Sequence, residues 1–295
     1  MSYEEQIQNI EDISFDKIRR ISVNYINSLP YFRKDELRIK LNRGVAVLDS
    51  DEQMKQYIYS YGLMHQAKME KAFEKVPFSE FANNKFEIID WGCGQGLATI
   101  CLFDELKKRN INHRIKRVTL VEPSVAAIER AKIHVSAYLN NNVKIRSVNK
   151  YLDNINKNEI VSKNPITIHL FSNILDVNSF NLHLLYKNIV SNLEGCHYMF
   201  CVSPLNPNNH RVDSFYEYFG NPETFLNDKQ YEYRYKEGGK SCSYNIIVFK
   251  SEGVGKNSIW RLFVNKIKLC RISVWWSKRC IKKNLIDMQQ NKTQK

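Results

Sequence analysis

From Phe86 to Val202, short apolar runs alternate with longer stretches in which apolar residues recur every three or four positions. The runs "FEIID" (86–90), "RVTLV" (117–121), "VKIRSV" (143–148), "ITIHLF" (166–171) and "HYMFCV" (197–202) have strand length and favour β-branched and aromatic residues. Residues 97–109, 124–139 and 178–193 between them carry helical spacing, whereas 149–163 is only weakly patterned. Strand and helix in turn predict βαβ units and a parallel sheet covered on both faces. Further on, "RVDSFYEYF" (211–219) reads as a helix, and "YEYRYKE" and "SYNIIVFK" flank the turn "GGKS" as a closing hairpin.

The first 84 residues are helical in texture. Residues 3–30 read as one polar helix, with Ile7, Ile10, Ile18, Ile21 and Tyr25 at helical spacing and Leu29-Pro30 as its end. Residues 51–76 read as a second, with Asp51 as N-cap, Pro77 beyond the end and Gly62 as a candidate break. Three regions follow: an N-terminal helical lid or substrate region (1–84), an α/β domain (85–250) and a tail (251–295) that opens with the linker-like "SEGVGKNS". No internal repeat is evident.

The formal charge of +13 is unevenly spread. Residues 1–84 hold 12 Lys/Arg against 13 Asp/Glu, and residues 251–295 hold 11 against 2, so the tail carries most of the excess. A nucleic-acid reading therefore attaches to the tail and not to the body. No run approaches the roughly 18 apolar residues of a membrane span. The acidic, polar start "MSYEEQIQNIEDISF" is unlike a secretory signal. The seven cysteines contain no C-x-x-C pair, which argues against a zinc site or a disulfide framework and for thiols in a reducing compartment. The cytoplasm is the expected location, and no metal is expected.

The candidate chemistry sits in "DWGCGQG", Asp90 through Gly96. A main chain that must touch a ligand cannot carry β-carbons, and glycine also tolerates positive φ. Where such a turn joins a strand to a helix, it forms a cradle at the carboxyl edge of the sheet, the usual nucleotide position in open α/β folds. A dinucleotide pattern G-x-G-x-x-G would need glycine at 97, which is Leu97, so a nicotinamide oxidoreductase is disfavoured. A tightly packed turn with no ligand is the plainer alternative. Glu122, at the end of the second strand, is the second landmark, although an acid beside Pro123 and the helix cap Ser124 is common.

Asp-x-Gly-x-Gly-x-Gly with an acid after the next strand resembles motif I and the ribose acid of the class I S-adenosylmethionine-dependent methyltransferases. The resemblance covers about 85–250 and implies a three-layer Rossmann-like fold, a mostly parallel sheet closed by a C-terminal antiparallel hairpin. It implies S-adenosylmethionine as methyl donor. Its ammonium suits an acid near Asp90, and its sulfonium would be repelled by a buried positive site. Carried over by position, Gly92, Cys93 and Gly94 line the methionine end, Asp90 holds the amino group directly or through water, and Trp91 and Gly96 are the other motif positions counted as cofactor-binding. Glu122 takes the ribose, Pro123 packs near the adenine, and Asn149 meets the adenine edge. Trp91 fills a variable motif position, where packing against the sheet is the alternative.

In-line methyl transfer can be driven largely by alignment, with a base needed only if the acceptor carries a proton. Acceptor-facing residues are expected in "HLFSNILDV" (169–177), where Ser172 and Asn173 are placed to bond cofactor or acceptor. The Asn/Asp-Pro-Pro-aromatic motif of exocyclic base-nitrogen methylation and the Pro-Cys nucleophile of cytosine-C5 enzymes are both missing. The weak catalytic candidates are His65, Asn173, Asp176 and His210, with loop or cap roles for Asp176, a surface role for His210 and a core role for the Tyr57–His65 aromatics as alternatives. The reading is a methyltransferase of unidentified acceptor, with an RNA methyltransferase or a non-catalytic cofactor-binding subunit as rivals. The basic tail 256–295, with Trp260, Trp275 and Trp276, suits RNA, an anionic membrane surface or a protein partner, or packs on its own domain.

Overall fold

Seven strands form one sheet: β1 (Lys85–Trp91), β2 (Arg114–Val121), β3 (Lys144–Val148), β4 (Ile166–Ser172), β5 (Cys196–Ser203), β6 (Glu223–Arg234) and β7 (Ser241–Glu252). The computed structural model describes residues 1–252 except 45, 83, 113, 141, 163, 193 and 236–238. The tail from 253 onward, with its expected RNA, membrane or protein partners, lies outside the described residues. Ser251 and Glu252, expected to open the linker, belong to β7.

The strand order is β3-β2-β1-β4-β5-β7-β6. The first five strands run parallel, and β7 returns antiparallel to both β5 and β6. This is the mostly parallel Rossmann-like sheet with a closing hairpin. Chain order reverses between β1 and β4, so the carboxyl ends of these two strands flank the topological switch point.

Side-chain alternation divides the core into two layers. Phe86, Ile88, Leu120, Ile168, Leu170 and Phe200 face one helical layer, whereas Ile89, Trp91, Phe171, Met199, Cys201 and Phe249 face the other. The first layer contains α5 (Leu97–Lys108) and α6 (Val125–Ser136), and the second α7 (Leu182–Asn192) and α8 (His210–Glu217). Strands buried on both faces explain why the central runs read as almost continuously apolar.

The N-terminal region contributes α1 (Tyr3–Gln8), α2 (Phe15–Ser28), α3 (Tyr31–Lys40) and α4 (Asp51–Phe73). The single helix expected over 3–30 is two helices. Ser14 caps the second by accepting from the Lys17 N–H, and Asp12 takes a left-handed φ of 48° between them. The cap of α4 is Ser50, not Asp51. Gly62 does not break α4. A Cβ there would lie 3.4 Å from both Arg19 Cδ and Phe15 Cζ, so its bare surface lets α2 approach closely. α3 was not anticipated, because its only buried residue is Leu37.

These helices share the sheet's first core layer through Ile7, Phe15, Ile18, Ile58, Met69 and Phe73. Polar links then fix α4 across the carboxyl edge. Gln95 Nε2 donates to Met54 O at 3.1 Å, and Ser124 Oγ donates to Leu48 O. Arg130, 5% exposed, pairs with Asp51 and lies 3.4 Å above the Tyr3 ring. Among the described residues, no helix is long and apolar enough to cross a membrane.

Arg130→Ala removes a buried cation from a half-exposed carboxylate and an aromatic face. Denaturant unfolding is expected to show a loss of about 2 kcal/mol, with α1–α4 becoming the first segment cut in limited proteolysis. An unchanged midpoint would mean that apolar burial alone holds these helices down.

Candidate active site

The β1–α5 turn places Gly92, Gly94 and Gly96 at φ 63°, 51° and 75°, all in the left-handed region. An L side chain there is strained by about 1–2 kcal/mol. The three glycines differ in what surrounds them. A Cβ on Gly92 would stand 2.8 Å from Ile174 Cγ1 and Cδ1, and one on Gly96 would stand 3.2 Å from Ala131 Cβ. One on Gly94 would meet nothing within 4 Å. Gly92 and Gly96 are therefore demanded by packing, and Gly94 presents bare main chain to an open hollow.

That hollow is a cavity of about 220 Å³ at the switch point. Its wall comprises the glycine turn, Glu122-Pro123, the end of β4 at Ser172–Ile174, Tyr57 and His65 from α4, and the Ala46–Leu48 strap. Glu122 faces the bend: Oε2 accepts from the Gly94 N–H and Oε1 from the Ser124 N–H, both at 3.0 Å. Burial raises its pKa, and the two N–H donors oppose that rise. Asp90, 1% exposed, accepts from Thr99 Oγ1 at 2.7 Å, and burial pushes its pKa up to about 7. Two carboxyl groups thus line the cavity, and among the described lining residues there is no lysine or arginine.

This donor set suits the cofactor that the sequence resemblance implied. A carboxylate offers about four lone-pair sites. With one N–H on each oxygen, Glu122 retains capacity for two hydroxyls. A cation is favoured beside Asp90 and Glu122, whereas a pyrophosphate would find no basic side chain on the described wall. Leu97, Ala98, Ala127, Tyr151 and Leu152 supply apolar wall beside Pro123, as a nucleobase requires.

The structure brings Asp90, Gly92, Cys93, Gly94, Glu122, Pro123, Ser172, Asn173 and His65 onto this one wall. Trp91 is not on it. Its ring is fully buried in the opposite core layer, stacked on Phe171, with Nε1–H donating to His169 Nδ1 at 3.1 Å. That donation leaves the His169 proton on Nε2, which stands 3.1 Å from His197 Nδ1. Strand alternation explains the correction: Asp90 points to the cavity side, so Trp91 points away.

Asn149 acts on the wall from behind, donating through Nδ2 to Glu122 O and Pro123 O at 2.9 Å each, and is not itself a lining residue. Gly96 likewise packs behind the wall against α6. Asp176 is buried, accepts from Asn206 Nδ2 at 2.6 Å and is not itself a lining residue. His210 is an exposed residue of a separate surface hollow, its Nδ1 3.3 Å from Pro207 O. Sequence reasoning missed Tyr151, Leu152 and the strap, whose roles depend on which loops meet at the sheet edge.

The end of the cavity nearest β4 holds a compact polar group. Tyr57 Oη and Asn173 Nδ2 each stand 2.9 Å from His65 Nε2, and Ser172 Oγ stands 3.3 Å from Nδ1. Lys68 Nζ donates to Asn173 Oδ1 at 2.6 Å. Asn173 adopts φ 57°, in the left-handed region that asparagine tolerates better than most residues. Burial, and then the Lys68 charge, push the His65 pKa down to about 3, so its imidazole is neutral and a weak base.

No family model and no curated protein matches the chain. Solved structures do resemble it loosely. A protein assigned as a methyltransferase from Pseudomonas syringae is 11% identical, covers 64% of this chain and 98% of its own, and has a TM-score of 0.42. One assigned as an RNA methyltransferase from Pyrococcus horikoshii is 14% identical, over 76% of this chain and 100% of its own, with a TM-score of 0.41. TrmK of M. capricolum, solved with S-adenosyl-homocysteine, is 11% identical over 63% of this chain and 68% of its own, with a TM-score of 0.37. Identity this low and superposition this loose leave function to the chain's own residues.

Two measurements check the site's physics. Gly92→Ala is expected to cost roughly 2–4 kcal/mol, combining backbone strain with the Ile174 clash, and Gly94→Ala only about 1–2 kcal/mol. Equal losses in urea unfolding would contradict the division between packing and open space. The second concerns Asp90, which burial pushes up to about 7 from the ordinary aspartate value of 3.8. The unfolded chain ionises first as pH rises through that window, so wild-type stability falls across it. Asp90→Asn cannot ionise, and its stability relative to wild type should therefore grow between about pH 4 and about pH 8. A constant difference would mean that Asp90 is not buried as described.

Proposed function

We propose that the chain is an S-adenosylmethionine-dependent methyltransferase. One observation carries the reading: the bare main chain at Gly94 opens onto a cavity where Glu122 bonds its N–H, and two acids but no Lys or Arg line the described wall. That chemistry selects a nucleoside with vicinal hydroxyls and a positive charge over a phosphate-bearing one.

Glu122 would hold the ribose hydroxyls, and Asp90, with the Gly92–Gly94 main chain, the amino-acid end. Pro123, Tyr151 and Leu152 would enclose the base. When bound, the cofactor supplies an electrophilic methyl group on a sulfonium that is already a good leaving group. The chain's own part is then chiefly alignment and exclusion of water, by the Ala46–Leu48 strap and by Ile174 over the glycine turn. A His65 held neutral with a pKa near 3 is poorly suited to take a proton, which favours an acceptor that is already nucleophilic. Ser172 and Asn173 would orient that acceptor.

Isothermal titration with S-adenosylhomocysteine tests the reading. Wild type is expected to bind at one site, and Glu122→Ala to weaken binding at least tenfold, since hydrogen bonds to a charged group contribute about 1.5–3 kcal/mol each. A folded sample that binds nothing would contradict the proposal. Transfer of labelled methyl groups into lysate fractions, followed by nuclease or protease treatment, then identifies the acceptor class. Tight cofactor binding with no labelled fraction would point to a non-catalytic subunit.

A further inference from the structure

Lys68 has no exposed surface and lies one helical turn beyond His65 on α4. Lysines are almost never fully buried unless paired. Among the described residues, none places a carboxylate within ion-pair distance of this amine, and Nζ donates instead to Asn173 Oδ1 at 2.6 Å. Asn173 is on the cavity wall, so the amine sits one side chain behind the cavity in which the cofactor is proposed to lie. The resemblance to methyltransferases led to the opposite expectation, since a buried positive site repels a sulfonium. Either the lysine is an unexplained penalty, or its charge has a use.

We propose that Lys68 is a positioning and specificity-determining residue that makes the cavity discriminate between the cationic methyl donor and its neutral product. The inference rests on the methyltransferase reading. A charged Lys68 behind Asn173 opposes S-adenosylmethionine, whose sulfur is positive, and leaves S-adenosylhomocysteine, whose sulfur is neutral, unopposed. The low effective dielectric of a buried site strengthens that difference. The coupling is reciprocal, so donor binding drives a proton from Lys68 more strongly than product binding does.

The groups that face the amine set when this happens. Burial pushes the Lys68 pKa down to about 8, while Asp176, on the segment after β4, favours the charged form; the Cys242 thiol, on β7, is itself pushed up by burial and faces the amine as a neutral group. His65, on the same helix, stays neutral. Below that range the amine is charged and the product competes well. Above it the amine is neutral and the donor gains. Asp90, across the cavity, titrates near 7 and pushes in the same direction, because its ionised form favours the cation. A pH profile of wild type alone therefore does not isolate Lys68.

Two variants do. The affinities of S-adenosylmethionine and S-adenosylhomocysteine are measured by titration calorimetry from about pH 6.5 to about pH 9, and the donor-to-product ratio cancels what the two ligands share. Lys68→Met, similar in length and uncharged, is expected to raise that ratio roughly fivefold or more at the acidic end and to leave only the Asp90-linked part of its pH dependence. Lys68→Arg, which stays charged, is expected to hold the ratio low at the alkaline end. A third readout is proton release: near pH 8, heats measured in buffers of different ionisation enthalpy should show more protons released on binding donor than product, and a smaller excess in Lys68→Met than in wild type. Ratios unchanged in both variants, or equal proton release, would overturn the role of Lys68 while leaving cofactor binding intact. Absence of binding by either nucleoside would instead remove the methyltransferase reading, and this inference with it.

Discussion

Glu122 accepts one hydrogen bond from the Gly94 N–H and one from the Ser124 N–H, bridging the β1–α5 turn and the start of α6 across the cavity mouth. The rest of the site depends on that bridge. The Gly94 N–H points at the carboxylate only because the turn holds three consecutive alternate positions at positive φ. Gly92 keeps its place because a β-carbon would collide with Ile174, and at Gly96 a β-carbon would crowd Ala131 of α6 less severely, at 3.2 Å. Asn149 then ties the Glu122 and Pro123 carbonyls from below. An acid that burial alone would discourage from ionising is thereby given N–H donors that favour its charged form.

Charge is distributed around the cavity with a clear polarity. Asp90 and Glu122 form the wall at the carboxyl ends of β1 and β2, and Lys68 stands behind the wall at the end of β4. The neutral group of Tyr57, His65, Ser172 and Asn173 separates them. This arrangement gives one end of the cavity an attraction for a cation and the other a reason to let it go. The N-terminal helices serve both ends, since α4 supplies Tyr57, His65 and Lys68 and is fixed to α6 through the Arg130–Asp51 pair.

Much of this was legible in the sequence because it is local. Strand length, helical spacing and the run of glycines are properties of neighbouring residues, and five parallel strands, their helices and the closing hairpin follow from them. Asp90 and Glu122 were legible because each ends a strand whose direction the alternation sets. What was not legible depends on distant segments meeting. Lys68 reads as an ordinary solvated lysine until α4 is laid against β4 and β7. Tyr151 and Leu152 lie in the weakly patterned stretch after β3. Trp91 is the instructive error, because adjacency to a motif glycine suggested a ligand contact, whereas the two-residue period of a strand turns it into the far core beside Phe171 and His169. The division of 3–30 into two helices was missed because apolar spacing continues through Asp12, whose left-handed backbone leaves no hydropathy signal.

The most direct test of the central claim is a crystal structure of the chain with S-adenosylhomocysteine. The ribose hydroxyls are expected within hydrogen-bonding distance of the Glu122 carboxylate and the thioether end against the Gly92–Gly94 main chain. Nucleoside density elsewhere on the molecule, with Glu122 making no contact to it, would contradict the account.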